Sequence, residues 1–214
     1  MAQSPSGVAS VILAGGEGSR LGGVVKANIE WGGERLIERL VRMLGETASP
    51  VLIGHGRHDP GRLDLPAGCI PVADLETDQG GPLVGVASAL AWLARNRPET
   101  GFLVSAAVDT PLLPADFVAR TLAKAIETGA EVVVARCGGQ LYPTNALWSV
   151  AAFKDLPEQV LAGTAPFSLK RLLERRRAVP LDWAVGPSGD PFQNINTPED
   201  LARFGAHLPD ALSP

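Results

Sequence analysis

The sequence predicts an α/β fold built on a parallel sheet. Three observations carry that reading: short β-branched apolar runs at Val8–Leu13, Val51–Ile53 and Phe102–Val108, an amphipathic helical stretch between the first two, and a loop with five glycines directly after the first run. Strand, helix and strand in succession form the unit of a parallel sheet. With 214 residues the chain suffices for one α/β domain with a full core and is short for two. A single domain spanning 1–214, with its core at about 7–208, is expected.

The first strand comprises Val8, Ala9, Val11, Ile12 and Leu13 and stops at Gly15 and Gly16. Gly18, Gly22 and Gly23 keep the following loop bare, and Arg20 and Lys26 add positive charge at its far end. Bare backbone can present N–H groups to a bulky anion, so the combination suits a polyphosphate, although a glycine loop can also be a plain turn. The spacing G-x-G-x-x-x-G at Gly16, Gly18 and Gly22 is one residue too long for the dinucleotide fingerprint, and no P-loop is present.

Ala27 to Gly33 reads as a short extended piece crossing that loop. Leu36, Ile37, Leu40, Val41 and Leu44 recur at helical spacing, with Glu34, Arg35, Glu38, Arg39 and Arg42 on the other face and Gly45 as the stop. Pro50–Ile53 is the second strand, ending at Gly54-His55-Gly56, and Ile70–Val72 is a third, with Asp74 just past its end. Ligands bind beyond the carboxyl ends of parallel strands, so Asp74 shares a rim with the glycine loop. Its carboxylate suits either ribose and ring-nitrogen donors or the capping of a turn. An alanine-rich helix follows from Val84 to Leu93.

Phe102–Val108 is nearly continuous and apolar, which predicts a central strand covered on both faces. It delivers Asp109, and Thr110-Pro111 ends the strand at once. A rim carboxylate beside a glycine loop suits Mg²⁺, a hard cation that prefers carboxylate, water and phosphate oxygens; taken alone, Asp109 equally suits a helix-initiating turn. Pro114-Ala115-Asp116 starts a helix with Phe117, Val118, Leu122 and Ile126 inward. Glu131–Arg136 is a further strand, Leu141–Trp148 is extended, helices follow near Val150–Leu161 and Ser168–Arg176, and a strand runs from Val179 to Val185. Thr197-Pro198-Glu199-Asp200 starts the last helix, with the hydroxyl at the cap and proline in the first turn. Asn194 and Asn196, one residue apart in an extended segment, direct their amides to one side.

Composition narrows the function classes. A net charge of −4 argues against an extended nucleic-acid surface, and the basic cluster Lys170, Arg171, Arg175, Arg176 and Arg177 reads as a solvated helix end. Cys69 and Cys137 have no paired spacing, and His55, His58 and His207 show no metal-ligand spacing, so neither a disulfide framework nor a zinc site is expected. The opening MAQSPSG lacks the features of a signal peptide, and no apolar run approaches the ~18 residues of a membrane span. A soluble cytoplasmic protein with frayed ends at Met1–Ser6 and Pro209–Pro214 is expected.

Four separated motifs resemble one family. Leu13-Ala14-Gly15-Gly16, Arg20-Leu21-Gly22-Gly23 and Lys26 fill the pattern L-A-G-G-x-x-x-R-[ML]-G-G-x-x-K of nucleotidyltransferases, and within them of the molybdenum cofactor guanylyltransferases. Asp74 with Gly81, Pro82, Leu83 and Gly85 resembles the family block D-x-x-x-x-x-G-P-L-x-G, Asp109–Pro114 its metal motif, and Phe192–Leu201 its F-x-N-[IV]-N-T-P-E-[DE]-L. The resemblance implies a Rossmann-like, mostly parallel sheet of the nucleotide-diphospho-sugar transferase type. It also implies transfer of GMP from GTP to the terminal phosphate of molybdenum-molybdopterin, with release of pyrophosphate.

Carried over residue by residue, the resemblance assigns nucleotide binding to Leu13, Ala14, Gly15, Gly16, Lys26, Gly54, Asp74 and Asp109, and catalysis to Lys26, Arg20 and Asp109. Asp109 is the implied Mg²⁺ ligand, and Asn194 and Asn196 the implied contacts to the second substrate or to the metal. Partners implied are GTP, molybdopterin and, transiently, molybdoenzymes or their chaperones. The chain departs from the family at Val25, where Asp is usual, at Gly54, where a polar residue often serves guanine, and at Tyr142, where His often precedes Pro143. Alternatives are a cytidylyl or sugar-phosphate nucleotidyltransferase, or a non-catalytic nucleotide-binding scaffold for molybdoenzyme maturation.

Overall fold

In a computed structural model, residues 7–18, 24–57, 59–187, 189–204 and 206–207 are described. The chain builds a seven-stranded sheet from β1 (Val8–Leu13), β2 (Val51–Gly56), β3 (Ile70–Ala73), β4 (Phe102–Ala107), β5 (Val132–Cys137), β6 (Gln140–Ser149) and β7 (Ala178–Trp183). Their order across the sheet is β7-β5-β6-β4-β1-β2-β3, with β4 in the middle. Only β6 runs antiparallel to its neighbours, so the expected mostly parallel sheet is what forms. Its direction follows from connection length: the Gly138-Gly139 turn after β5 permits only a hairpin return, whereas parallel pairing needs a crossover.

The helices are α1 (Leu36–Gly45), α2 (Pro82–Asn96), α3 (Phe117–Thr128), α4 (Leu156–Leu161), α5 (Leu169–Leu173) and α6 (Pro198–Phe204). On one sheet face Ile37 and Leu40 of α1 and Phe117 and Val118 of α3 pack on Ile12, Ile53, Val104 and Val133. On the other, Val84, Leu90 and Leu93 of α2 and Leu156, Val160, Leu169 and Leu172 of α4 and α5 pack on Val11, Leu52, Leu103 and Trp148. The covering of both faces explains why β4 is an unbroken apolar run. Among the described residues no helix is long and apolar enough to cross a membrane.

Four local expectations are corrected. Ala27–Gly33 is not a single extended piece: Lys26–Asn28 forms a 3₁₀ turn, and Glu30–Trp31 and Glu34–Arg35 form a hairpin about Gly32-Gly33, both of which have positive φ. The helix expected over Val150–Leu161 breaks in two, a 3₁₀ turn at Ala151–Phe153 and then α4. Pro157 in a continuous helix would clash with the preceding turn and remove a hydrogen bond; restarting at Leu156 places it in the first turn. The second helix of that pair, expected to reach Arg176, ends at Leu173, and its Ser168 hydroxyl accepts the Arg171 N–H at 3.3 Å. Finally, Ile126 is 70% exposed, because α3 buries Phe117, Val118, Thr121 and Ala125 instead. Thr121 can turn inward since its hydroxyl donates back to Phe117 O at 2.7 Å.

Polar groups inside the sheet layer are paired selectively. The Trp148 indole N–H donates to Ser105 Oγ at 2.9 Å, with both residues fully buried, and the Phe153 ring stands edge-on to the indole at 5.4 Å. Replacing Trp148 by Phe leaves the serine hydroxyl without that donor and shrinks the ring, which costs about 1–3 kcal/mol. Urea unfolding of Trp148→Phe measures that loss, and nucleotide binding is unchanged.

Candidate active site

Chain topology creates the site. After β1 the chain lays down β2 and β3 on one side and then crosses back to place β4 on the other, so the connections leaving the carboxyl ends of β1 and β4 run in opposite directions. A crevice at such a reversal is where open α/β sheets bind ligands. Here it is a cleft of about 240 Å³, lined by Leu13, Gly15, Gly16, Lys26, Gly54, Gly56, Asp74, Gly81, Pro82, Gly85, Ala107, Val108, Asp109, Thr144 and Asn194.

Close approach constrains two glycines, one against backbone and one against a side chain. A Cβ on Gly15 would stand 2.8 Å from Gly56 Cα and 2.9 Å from its nitrogen, so the first loop lies directly against the end of β2. Gly56 itself has φ +64°, which glycine adopts without strain. A Cβ on Gly85 of α2 would meet Leu13 Cδ2 at 2.8 Å, which sets how near α2 approaches β1. At Gly54, by contrast, a Cβ would find only ordinary contacts at 3.6–3.8 Å.

The charged centre joins three distant parts of the chain. Lys26 Nζ donates to Asp109 Oδ2 at 2.6 Å, with both side chains 13% exposed, and also to Asn196 Oδ1. Lys26 opens its 3₁₀ turn, anchored by the buried Ala27 and Ile29. Asp109 is fixed through its backbone: Val108 N–H donates to Leu13 O at 3.2 Å, Thr110 N–H to Ala107 O at 3.1 Å, and Ile195 N–H to Asp109 O at 2.9 Å. Arg39 of α1 stacks over Trp31 at 4.4 Å and donates to Pro111 O at 2.8 Å, which steadies the turn after Asp109.

The asparagine segment is held by its own helix cap. Asp200 Oδ2 accepts the N–H groups of Asn196 and Thr197, each at 2.9 Å, while Thr197 Oγ1 accepts the Asp200 N–H at 3.2 Å. That reciprocal pair is a capping box in which an aspartate does the work of the usual glutamate. The Asn196 N–H first, and then that of Thr197, holds the Asp200 carboxyl below its ordinary range. Ile195, between the two asparagines, is fully buried with Ile29, Leu36 and Leu201. The alternation expected from the sequence therefore holds, with Asn194 on the cleft and Asn196 on Lys26.

Eight of the ten expected site residues that are described in detail gather here: Leu13, Gly15, Gly16, Lys26, Gly54, Asp74, Asp109 and Asn194 all line the cleft. Asn196 reaches it through Lys26. Ala14 does not line it: its side chain is buried in the core and its N–H donates to Gly54 O at 2.8 Å, as strand pairing persists one residue beyond β1. Arg20 lies outside the described residues, as do Leu21, Gly22 and Gly23 of the same motif and the chain ends expected to fray. Thr144 is a site residue that sequence reasoning missed. It reaches the cleft because the register between β5 and β6 slips between Tyr142 and Ala146. Pro143, a residue that strands tolerate at bulges, was the available signal.

A Rossmann-like sheet whose crevice combines a bare glycine edge with a lysine and an aspartate defines a nucleotide-handling transferase. Comparison with known proteins narrows the class. The family model described as MobA-like NTP transferase domain matches residues 10–179. A molybdenum cofactor guanylyltransferase of Rhodopseudomonas palustris is 37% identical, over 93% of this chain and 91% of the relative. Among solved structures, molybdopterin-guanine dinucleotide biosynthesis protein A of Archaeoglobus fulgidus superposes with a TM-score of 0.71 at 22% identity, covering 92% of this chain and 96% of that one. A Mycobacterium tuberculosis protein solved in complex with manganese has a TM-score of 0.66 at 15% identity, covering 94% and 98%. The chain belongs to the MobA-like NTP transferases, among the molybdenum cofactor guanylyltransferases.

Two tests follow from this geometry. In Gly15→Ala the new methyl meets backbone that cannot step aside, so stability falls by about 1–3 kcal/mol and nucleotide affinity drops at least ~tenfold. In Gly85→Ala only the end of Leu13 must move, and the helix gains propensity, so stability stays within about 1 kcal/mol while affinity falls. Thermal melts and nucleotide titration of the two variants read out the contrast. For Asp200 the depressed folded pKa fixes the sign: its contribution is fully present above the unfolded value near 3.8 and is lost as pH falls through the folded one. Asp200→Asn therefore costs about 1 kcal/mol at pH 7, and the difference from the parent closes progressively below about pH 4.

Proposed function

We propose that this chain transfers the GMP part of GTP to the terminal phosphate of molybdenum-molybdopterin, releasing pyrophosphate and forming the guanine dinucleotide. The observation that carries the reading is the meeting of Lys26, Asp109 and Asn196, from three separate segments, at the end of a glycine-edged cleft. The Gly15 and Gly16 backbone borders the triphosphate. Lys26 offsets the charge that builds on the α-phosphate and on the departing pyrophosphate, and Arg20 assists it. Asp74 receives the nucleoside at the other end of the cleft. Asn194 and Asn196 orient the acceptor phosphate, which is already an anion near neutral pH and needs no general base.

The donor set fits a divalent cation. Asp109 contributes a carboxylate at the rim of the sheet, Asn194 and Asn196 lie near with amide oxygens, and the described residues contain no cluster of three or more His, Cys, Asp or Glu side chains. One carboxylate completed by phosphate and water oxygens is how Mg²⁺ is commonly held, and we assign Mg²⁺ to Asp109. When bound, the cation neutralises charge shared between phosphate oxygens. Lys26 donates to Oδ2 of Asp109 here, so a bound cation would share that carboxylate with the lysine. The reading places a single nucleotidyltransferase domain in the cytoplasm, with transient contacts to molybdoenzymes or their chaperones.

Gly54 favours a second reading of the base. Gly54 brings no side chain of its own to the cleft, so guanine is read there by backbone groups, or another base such as cytosine is accepted. Pyrophosphate release from GTP and from CTP, with Mg²⁺ and molybdenum-loaded molybdopterin, separates the cases. Release with GTP is expected, falling by about 10³-fold or more in Asp109→Ala and at least ~10²-fold in Lys26→Ala. Release with CTP alone would keep the mechanism and change the base; release with neither would reject the guanylyltransferase reading.

A further inference from the structure

Tyr142 stands outside this scheme, and its surroundings give it a task. Its hydroxyl donates to Asp190 Oδ2, and the other oxygen of that carboxylate accepts the Phe192 N–H at 2.8 Å. The Gln193 N–H closes a turn onto Asp190 O at 3.1 Å. Phe192 is fully buried, its ring 5.3 Å from that of Tyr142, 5.1 Å from Trp183 and 5.9 Å from Phe117. Residues 190–197 belong to no strand, so no ladder of backbone bonds fixes them. They are tied at four points: by Asp200 at Asn196 and Thr197, by Lys26 on Asn196 Oδ1, by the Ile195 N–H on Asp109 O, and by the Tyr142–Asp190 bond at the start.

From these contacts we infer that Tyr142 is a positioning residue for the acceptor: its bond to Asp190 fixes where Asn194 sits in the cleft and so governs recognition of the second, phosphate-bearing substrate. Both partners lead to cleft residues. Thr144 lies two positions after Tyr142 in β6, and Asn194 lies four after Asp190. The latch thus joins the bulged part of β6 to the asparagine segment. It touches neither the glycine edge nor Asp74, both supplied by the first three strands and their loops. The inference rests on the proposed reaction for the identity of the acceptor and on the contacts alone for the latch.

The test is Tyr142→Phe, which keeps the ring against Phe192 and removes only the hydroxyl. Expected is a rise of about tenfold in KM for the molybdopterin acceptor, with kcat and the KM for GTP within about twofold of the parent. Amide exchange in the free protein gives a second readout: the Phe192 and Ile195 amides exchange faster in the variant, while those of β4 do not change. An unchanged acceptor KM, or an equal rise in both KM values, overturns the acceptor role; unchanged exchange at Phe192 and Ile195 overturns the latch. If the parent itself releases no pyrophosphate with this acceptor, the proposed reaction fails and the exchange data alone decide the latch.

Discussion

The pairing of β1 with β4 is the constraint on which the rest depends. Their parallel register runs from Val8 opposite Phe102 to Leu13 opposite Ala107, so both strands end at the same level. The glycine loop and Asp109 are thereby delivered to one rim. A slip of one residue would turn every side chain of β4 to the opposite face and carry Asp109 away from the cleft. The two buried faces forbid that slip, since Val104 and Ala106 belong to one core and Leu103 to the other. Catalytic geometry is thus held by apolar packing well below the site.

The ion pair at the site contributes differently. Lys26 and Asp109 are largely removed from water, and such pairs roughly balance their desolvation cost against their attraction, so the bond adds little net stability. Its value lies in orientation. Two anchored segments hold the ammonium and the carboxylate against the cleft, and Asn196 fixes the ammonium from a third. Electrostatic catalysis needs charges that are in place before the substrate arrives, because turning them during reaction consumes the benefit.

Much of this was legible in the sequence, for local reasons. The strands of the sheet announce themselves through β-branched runs and glycine stops, and the capping of α6 is written in Thr197-Pro198 and Asp200. The cleft was legible because its residues follow strand ends directly. What stayed hidden depends on contacts remote in sequence. The inward face of α3 is chosen by Phe117 packing with Trp183 and Phe192, rings that lie far along the chain, and periodicity alone preferred Ile126. Thr144 reaches the cleft through a slip in pairing with β5, and Ala14 is drawn into the core by a bond to Gly54. The link from Tyr142 to Asp190 spans 48 positions and has no local signature.

The bulge in β6 divides the protein's freedom to change. On the nucleotide side, backbone contact between Gly15 and Gly56 and the unbroken register of β1 with β2 leave little room for variation. On the other side, Pro143 and Thr144 sit where β5 and β6 fall out of step, so substitution there need not disturb the sheet, whereas the buried Asn145 accepts the Ala107 N–H of β4 at 3.3 Å. A lineage starting from such a chain can exchange the molecule that receives the nucleotide while keeping the apparatus that activates it. Diversification within this architecture is therefore expected to run through the acceptor, with the donor half inherited nearly intact.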